Sequence, residues 1–513
     1  MPEVRATVAI EAQFSGSAGA WSDITADVVS QSRLIASYGI SGGGPLDRVG
    51  QTGKMDFRLR NDARNSGAKL GYYSPGHADV RSGFDIGIGI RLKASYSGST
   101  FYKWRGKLSR IEPAPGKYLS RQTFCTALDW FDIAAKRKMR LQAIQLSQRA
   151  DQAIATVVSS MTDLPAASTL ATGQDTFPTV FDETRDESTS VLRELYKLTV
   201  SELGYLYMQG NCDTGGVLRF EDRHYRPKYG SSSASLGNAC MTGLRLERGT
   251  QLVYNRVKID VAPRETGAAA SILFQLQSKP LVAAGTCVLI EGRYTDPSNR
   301  GLLRIGGASM ISPASTTDYT MNSASDGSGT DRTANFTVGA SYGGNSVRYQ
   351  VGNTGGTSDY VTLLQARGRP IIIKEPTVSE VFNQTSIDSY GENVLPLNMA
   401  YQDSALIAND AANSMLTNWK DPSNILESVE FQANGSDGLM KAALQREPGD
   451  KVTIAETMTA LDSDFFINGV EFTIAPPNAI KCKWTLTPAV ATNYWILGTL
   501  GSSELGISTV LGY

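Results

Sequence analysis

The sequence predicts a mainly β fold of the α+β class, with barrel-like regions, a few packing helices and an inserted β-sandwich. Three observations support this class. Several segments alternate apolar and polar residues with a period of two, the spacing of half-buried strands. Helical spacing is clear in only three segments. A middle region of low charge is rich in Gly, Ser and Thr, and turn clusters separate its short strand candidates, as in a sandwich.

The clearest alternation runs from Phe84 to Leu92, and it recurs from Val253 to Val261 and from Ile480 to Leu486. We expect each segment to form an antiparallel strand with one buried face. A hairpin is expected between Gly210 and Phe220. Shorter strands are expected in the middle region, at 286–290, 347–351 and 371–373.

Three helices are expected to pack on the sheets, since each has a single apolar stripe. The first follows Ser147 as its N-cap. The second follows Ser188 and stops at Gly204. The third begins at Asp403 and ends at Asp421-Pro422.

At 513 residues the chain exceeds what one hydrophobic core usually organises. Shifts in composition predict four domains, which are a β-rich domain over 1–146, a mixed helix and strand domain over 147–262, an inserted β-sandwich-like domain over 263–376, and a helix plus β domain over 377–513.

The overall charge is close to neutral, with 49 Lys and Arg against 50 Asp and Glu. This balance argues against stable binding to nucleic acid or an anionic membrane. No run of 18 apolar residues occurs, and the N-terminus lacks the pattern of a secretory signal, so we expect no membrane span and a protein that is soluble where it is made.

No metal or cofactor is expected. The five cysteines are scattered without a CxxC pair, which indicates reduced and mostly buried thiols. Asp326-Gly-Ser-Gly-Thr-Asp331 departs from a calcium loop at most of its ligand positions, so an Asp-Gly turn is predicted. Neither a P-loop nor an HExxH motif occurs.

The chain is not expected to be an enzyme. Asp222 and His224 could share one face of a strand, but no nucleophile lies beside them in sequence. Gly339-Ala-Ser-Tyr-Gly343 matches GxSxG, but a strand candidate follows it instead of a helix, which favours a Gly-rich turn. The pairs Asp182/Glu183 and Asp186/Glu187 precede the second helix, where acidic residues favour the helix dipole.

Charge is unevenly distributed along the chain. Between Lys103 and Arg149 there are eleven basic and three acidic residues, a net +8. Between Thr377 and Met440 there are one basic and nine acidic residues, a net −8. We call these the basic and the acidic segments. A solvated face explains most such runs. The functional alternatives are a passage for DNA or a charged interface with a neighbouring chain, with Lys136, Arg137, Lys138 and Arg140 as candidate residues.

Many short motifs follow one another in a fixed order. In the N-terminal third they are Trp21-Ser-Asp-Ile-Thr25, Ser41-Gly-Gly-Gly-Pro45, Phe57-Arg-Leu-Arg-Asn-Asp62 and Gly71-Tyr-Tyr-Ser-Pro75. In the last third they are Tyr360-Val-Thr-Leu-Leu-Gln-Ala-Arg-Gly-Arg-Pro370, Met399-Ala-Tyr-Gln-Asp403, Trp419-Lys-Asp-Pro422, Arg446-Glu-Pro-Gly-Asp450 and Asp464-Phe-Phe-Ile-Asn-Gly-Val-Glu-Phe472, before Trp484 and Trp495. Their order and spacing resemble the hub-like minor tail proteins at the tail tip of long-tailed bacteriophages of the siphovirus type.

The resemblance implies a homotrimeric ring in the virion, assembled in the cytoplasm of the host bacterium. The ring would continue the tail tube, attach to the distal tail protein, carry fibres or receptor-binding proteins, and gate the passage of tape-measure protein and phage DNA. No fibre-like extension follows Tyr513, so direct receptor contact is not expected of this chain. The alternatives are a tail-associated wall or glycan hydrolase, and a receptor-binding module that uses the inserted sandwich.

Overall fold

The computed structural model describes residues 4–16, 19–29, 32–116, 121–182, 189–211, 213–228, 230–296, 305–423, 425–476 and 478–489. Strands dominate it. Those of the first half are Thr7–Gln13 (β1), Ser22–Asp23 (β2), Leu34–Gly39 (β3), Lys54–Arg60 (β4), Gly89–Tyr96 (β5), Ser99–Ala114 (β6), Gln122–Leu128 (β7), Gln145–Arg149 (β8), Ala167–Leu170 (β9), Thr176–Val180 (β10), Tyr205–Gln209 (β11), Val217–Glu221 (β12), Ser235–Leu236 (β13), Met241–Glu247 (β14) and Arg256–Val261 (β15).

The second half continues this β-rich pattern. Its strands are Arg264–Thr266 (β16), Ser271–Gln275 (β17), Leu281–Val282 (β18), Cys287–Arg293 (β19), Gly306–Ala308 (β20), Tyr319–Asn322 (β21), Phe336–Tyr342 (β22), Ser346–Asn353 (β23), Asp359–Ile373 (β24), Thr377–Phe382 (β25), Val394–Met399 (β26), Ile425–Gln432 (β27), Lys451–Glu456 (β28), Leu461–Ala475 (β29) and Ala479–Pro488 (β30).

Helices are few and short. They are Trp130–Lys136 (α1), Ala150–Ser159 (α2), Val191–Glu202 (α3), Gln384–Tyr390 (α4), Ala405–Trp419 (α5) and Asp437–Gln445 (α6), with single 3-10 turns at Thr25–Asp27, Thr333–Asn335 and Ala433–Gly435. Among the described residues, no helix has the length and apolar character that a membrane crossing requires. The mainly β class with packing helices is therefore confirmed.

One large sheet joins the two ends of the chain. Its thirteen strands follow the order β14-β27-β30-β29-β3-β4-β7-β6-β5-β1-β2, with β28 paired to β29 and β13 paired to β28. The N-terminal and C-terminal strands meet where β3 pairs with β29, from Gly39 opposite Gly469 to Leu34 opposite Ile474. Its largest core side chains include Trp104 and Trp484.

The structure differs from the expected barrel-like form in one respect, which is the closure of the sheets. The sheets formed by the described residues stay open, because β2 and β14 stand at opposite ends of the large sheet's path and are not paired with each other. Long open sheets in general twist and curl without having to close.

Three smaller units surround this sheet. Helices α1, α2 and α3 pack with the sheet β11-β12-β9 around a core that contains Phe131, Leu195 and Phe220. Helix α5 lies on the sheet β25-β15-β26, where Ala411 and Ala412 face apolar side chains such as Val257. In that sheet β15 pairs with β25. The chain segment between these two strands, residues 263–376, therefore begins and ends at neighbouring positions of the sheet.

Residues 263–376, the middle region, form two packed sheets. The long strand β24 pairs with β16, β17, β18, β20 and β21, while β19, β23 and β22 form the second sheet. Leu364 of β24 and Tyr349 of β23 belong to one core between them. This is the sandwich arrangement predicted from the sequence. The domain boundaries at 146, 262 and 376 stay a prediction.

Several predicted elements differ in their bounds. Strand β5 begins at Gly89 and not at Phe84, because Gly87 has φ +86° and turns the chain. Ser147 lies in β8, and the N-cap of α2 is Arg149. The N-cap of α3 is Ser190, whereas the predicted Ser188 lies outside the described residues. Helix α5 begins after Ser404, whose side chain caps it in place of Asp403.

Candidate functional site

The candidate basic residues lie on the surface, with Lys136 at the end of helix α1 and the other three just after it. Lys136 pairs with Asp132 one turn earlier, with 2.8 Å between Nζ and Oδ2. Arg137 pairs with Asp163 at 2.8 Å between Nη2 and Oδ2. Lys138 and Arg140 are exposed and form no ion pair with the described residues. Within the described part of the chain, two of the four predicted residues thus have a charge that no ion pair compensates.

The basic segment does not form one continuous face, because several of its charges are used inside the molecule. Lys103 is buried and binds Glu447, and Lys107 pairs with Asp163 at 2.8 Å. The acidic segment is also partly compensated within the chain. Glu380 pairs with Arg256 and Lys258, and Glu430 pairs with Lys481. Exposed carboxylates such as those of Asp388 and Asp410 remain.

The motif Arg446-Glu-Pro-Gly-Asp450 forms a buried polar junction around Glu447. One carboxylate oxygen accepts from Lys103 Nζ, and the other accepts from Tyr38 Oη at 2.9 Å and from the Gly210 amide at 3.0 Å. Lys103 also donates to the carbonyls of Leu444 and Arg446. Burial raises the pKa of Glu447, although Lys103 opposes that shift. The motif therefore fastens the loop before β28 to β3, β6 and β11.

A second junction surrounds Glu221 of β12. Its carboxylate accepts from Tyr207 Oη at 2.6 Å and from Arg226 Nε at 2.8 Å. Arg226 Nη1 donates to Asn468 Oδ1 at 2.7 Å, and Asn468 Nδ2 donates to the Gly42 carbonyl at 2.6 Å. Two of the sequence motifs, those containing Gly42 and Asn468, therefore meet at this point.

Gly449 separates these two junctions and has little free space. Its φ is +96°, and a Cβ atom there would lie 2.2 Å from Tyr207 Oη and 2.3 Å from Glu221 Oε1. A glycine is required both by the backbone conformation and by the close approach of β11 and β12.

The motif Met399-Ala-Tyr-Gln-Asp403 forms a third junction at the base of the middle region. The Tyr401 hydroxyl donates to Glu194 of α3, and Gln402 Nε2 donates to Asp175 at 2.9 Å. Arg264, at the start of the middle region, binds Asp182 at 2.6 Å and donates to the Ala400 carbonyl at 2.7 Å. The contacts tie the middle region to α3 and β26.

The N-terminal motifs are structural in the same way. Asn61 accepts from the Tyr73 amide at 2.8 Å and donates to Ser74 Oγ at 2.7 Å, which connects Phe57-Arg-Leu-Arg-Asn-Asp62 to Gly71-Tyr-Tyr-Ser-Pro75. The motif Trp419-Lys-Asp-Pro422 of the last third also makes a structural contact. The Trp419 carbonyl accepts a hydrogen bond from the Tyr254 amide at 2.7 Å. These pairings are not visible in the sequence, because only the fold brings their residues together.

The described residues among the catalytic candidates lie in a turn, a strand and a buried ion pair. Asp222 accepts from the His224 amide at 2.8 Å in a turn that follows β12, so the two side chains do not share a strand. Ser341 lies in β22, which pairs with β23 as a hairpin. Asp182 is buried against Arg264, while Glu183, Asp186 and Glu187 lie outside the described residues. The described part of the chain has no cluster of three His, Cys, Asp or Glu residues placed to hold a metal ion.

Comparison with known proteins gives similarity of structure only. No family model and no curated protein matches the chain. The 43 kDa tail protein of prophage MuSo2 from Shewanella oneidensis superposes with a TM-score of 0.50 and 9% identity, over 94% of this chain and 98% of that one. The tail protein from Neisseria meningitidis gives a TM-score of 0.47 and 10% identity, over 94% and 96% of the two chains. The chain thus has the fold of the Shewanella prophage tail protein over nearly its full length, which confirms the resemblance found in the sequence at the level of the fold.

Proposed function

We propose that the chain is a structural component of a bacteriophage tail tip. The observation that carries this proposal is the match of 94% of the chain to the fold of a prophage tail protein, of which 98% is covered. The motifs give independent support, since those of the junctions around Glu447, Glu221 and Tyr401 fasten turns and strands together and form no reactive group. A framework held together in this way suits a structural part of a particle.

Within the tail, the proposed role is that of the central hub. Three copies would form a ring that closes the tail tube, joins the distal tail protein to fibres or receptor-binding proteins, and lets tape-measure protein and DNA pass. Open sheets support an assembly of this kind, because edge strands such as β2 and β14 present backbone groups that a neighbouring subunit can cover. The hub would be assembled in the host cytoplasm and remain in the virion.

A direct test combines native mass spectrometry with cryo-electron microscopy of phage particles that carry a small tag on this chain. The expected results are a trimeric mass and a tag signal arranged as a ring at the end of the tail tube. Monomers alone at high protein concentration, together with a tag signal elsewhere in the particle, would contradict the hub role.

The hydrolase alternative has a separate test. We predict that the purified chain does not clear host cell wall, since the carboxylate of Asp182 is held by Arg264 inside the protein and is not available to a substrate. Turbidity of a cell-wall suspension should stay unchanged. Clearing that is lost in Asp186→Ala or Glu187→Ala would establish the hydrolase in place of a purely structural role.

The receptor-binding alternative depends on exposed aromatic side chains in the middle region. Tyr294 and Tyr349 are buried in its core, and Tyr319 and Tyr342 are half-buried. Tyr342 uses its hydroxyl to bind the Ile311 carbonyl at 2.6 Å. These four tyrosines therefore provide no open stacking platform for a sugar.

A further inference from the structure

A cavity of about 600 Å³ lies between the large sheet and the helical unit. Strand β6 contributes Arg105 and Lys107, helix α1 contributes Trp130 and Ile133, and the segment after α2 contributes Asp163 and Leu164. Several further lining positions are glycines, which leave the space beside Arg105 open. The volume is within the range of roughly 300–1,000 Å³ that is typical of ligand pockets.

The charges beside the cavity are not balanced. Across three neighbouring strands, Glu11 stands opposite Arg91, and Arg91 stands opposite Arg105. Glu11 is already bound by Arg91 and by Lys93, each at 2.6 Å. Like charges directly opposite each other destabilise a sheet. Nothing in the described part of the chain offers Arg105 a carboxylate as a salt-bridge partner.

Arg105 is held in place without an anion. Its guanidinium lies 5.2 Å from the centre of the Trp21 ring, on which Arg91 also stacks at 4.3 Å. Burial and the nearby charge of Arg91 lower the pKa of Arg105. A negative group in the cavity would oppose both effects, because it would pair with the guanidinium and favour its charged form.

The other charged groups that face the cavity do not supply this anion. Asp163 is shared by Lys107 and Arg137, each at 2.8 Å. Asp129 is buried, it caps α1 by accepting from the Phe131 amide at 3.0 Å, and burial raises its pKa to about 8. Burial thus favours the neutral form of Asp129, and Asp163 is already paired with two cations, so neither carboxylate offsets the charge of Arg105.

Part of the cavity lining is apolar. Trp130 and Ile133 of α1 face the cavity together with Leu164, which is 58% exposed at its rim. A phosphate group or the backbone of a nucleic acid would use only the cationic side of such a site. An acidic residue next to an apolar one would use both sides, since its carboxylate can pair with Arg105 while its neighbour covers Leu164.

We infer that this cavity is a docking site for an acidic and apolar peptide segment of a partner protein, with a carboxylate on Arg105 and an apolar side chain against Ile133 and Leu164. The inference rests on the cavity and not on the proposed tail role. A failure of one therefore leaves the other unaffected.

The test measures binding of capped peptides to the full chain by calorimetry, with tryptophan fluorescence as a second signal. Acetyl-Leu-Glu-Leu-amide should bind, and acetyl-Leu-Gln-Leu-amide should bind at least about tenfold more weakly, because it lacks the charge-assisted hydrogen bond. Arg105→Gln should weaken binding of the Glu peptide by a similar factor. The matched control is Arg110→Gln on the same strand, since Arg110 is exposed and pairs with Glu112 outside the cavity.

Two further measurements separate the alternatives. Leu164→Asn changes an exposed side chain, so the fold should be kept, and it should weaken the peptide without changing any binding of inorganic phosphate. Equal binding of the Glu and Gln peptides would overturn the inference. So would wild-type affinity in Arg105→Gln, or phosphate binding as tight as that of the Glu peptide and insensitive to Leu164→Asn.

Discussion

Single residues carry much of the specificity of this fold, and Gly449 is the clearest case. We predict that Gly449→Ala destabilises the protein strongly, because the added Cβ would lie 2.2 Å from Tyr207 Oη and would separate Tyr207 from Glu221. The expected loss in free energy of unfolding exceeds the roughly 1–2 kcal/mol that a left-handed backbone costs an alanine. Thermal unfolding and hydrogen exchange of β11 and β12 would measure it.

Gly76→Ala is the matched control for this prediction. Gly76 has φ +86°, close to that of Gly449, but no atom lies within 4 Å of the added Cβ position. It should therefore show the backbone cost alone. Equal losses in the two variants would mean that the close approach at Gly449 contributes nothing.

We expect Glu202 to make the stability of the protein depend on pH. Burial raises its pKa to about 7, while its neighbours are Arg223 at 3.8 Å, Asp175 and the Gln174 amide at 2.9 Å. Because this pKa is above the value in the unfolded chain, the folded state binds the extra proton between about pH 4.5 and pH 7. Stability should fall as the pH rises through that window.

We predict that Glu202→Gln removes this dependence. Relative to the wild type, the variant should gain on the order of 2 kcal/mol in unfolding free energy between pH 5 and pH 8. Chemical denaturation at several pH values would show it. Glu456→Gln is the control, since hydrogen bonds lower the pKa of this half-buried carboxylate and its charge is constant over the same range. A gain that does not change with pH would show that Glu202 is ionised throughout.

At the scale of single elements, caps decide where helices begin. Ser190 Oγ accepts from the Arg193 amide at 3.2 Å at the start of α3. We predict that Ser190→Ala costs about 1 kcal/mol. Faster hydrogen exchange at the first turn of α3 would report it.

Ser389→Ala provides the comparison. Ser389 is exposed inside α4, and its hydroxyl binds the Thr385 carbonyl at 2.8 Å in the same helix. Alanine is the better helix former, so this change should leave its own helix as stable as before or slightly more so. A similar loss in both variants would assign no special role to the cap.

The sequence predicts elements with strong periodicity and fails where local signals conflict. Strand β30 from Ala479 to Pro488 follows the alternation seen from Ile480 to Leu486. Helix α1 was not predicted, because its seven residues begin with Trp130 and Phe131, which are typical of strands. Helix α6 was also missed, since Gly435 and Gly438 indicate a turn at its start.

The candidate sites show the same limit. A run such as Lys136 to Arg140 is visible in the sequence, but its pairing with Asp132 and Asp163 depends on packing. The buried pair of Lys103 and Glu447 spans more than three hundred positions. Such contacts arise from the pairing of β3 with β29, which no local pattern specifies.

On the scale of the whole molecule, opposite charges are concentrated in two segments of a nearly neutral chain. Among the described residues, Lys138 and Arg140 of the basic segment have no ion-pair partner, and Asp388 and Asp410 of the acidic segment are exposed. Individual exposed pairs contribute only about 0–1 kcal/mol. An interface between copies of the chain would therefore depend on the summed field of many charges.

We predict that assembly of the chain weakens as ionic strength rises from about 0.05 M to about 0.5 M, because the screening length falls severalfold over that range. Lys138→Glu combined with Arg140→Glu should reproduce the high-salt behaviour at low salt without breaking the pairs of Lys136 and Arg137. Sedimentation velocity would measure the assembled fraction.

The control, Lys228→Glu with Lys279→Glu, makes the same change in net charge at exposed positions outside both segments. Since net charge alone would affect both double variants equally, only a larger loss in the first assigns the interface to residues 136–140. Assembly that is indifferent to salt and to both variants would identify the two segments as solvated faces.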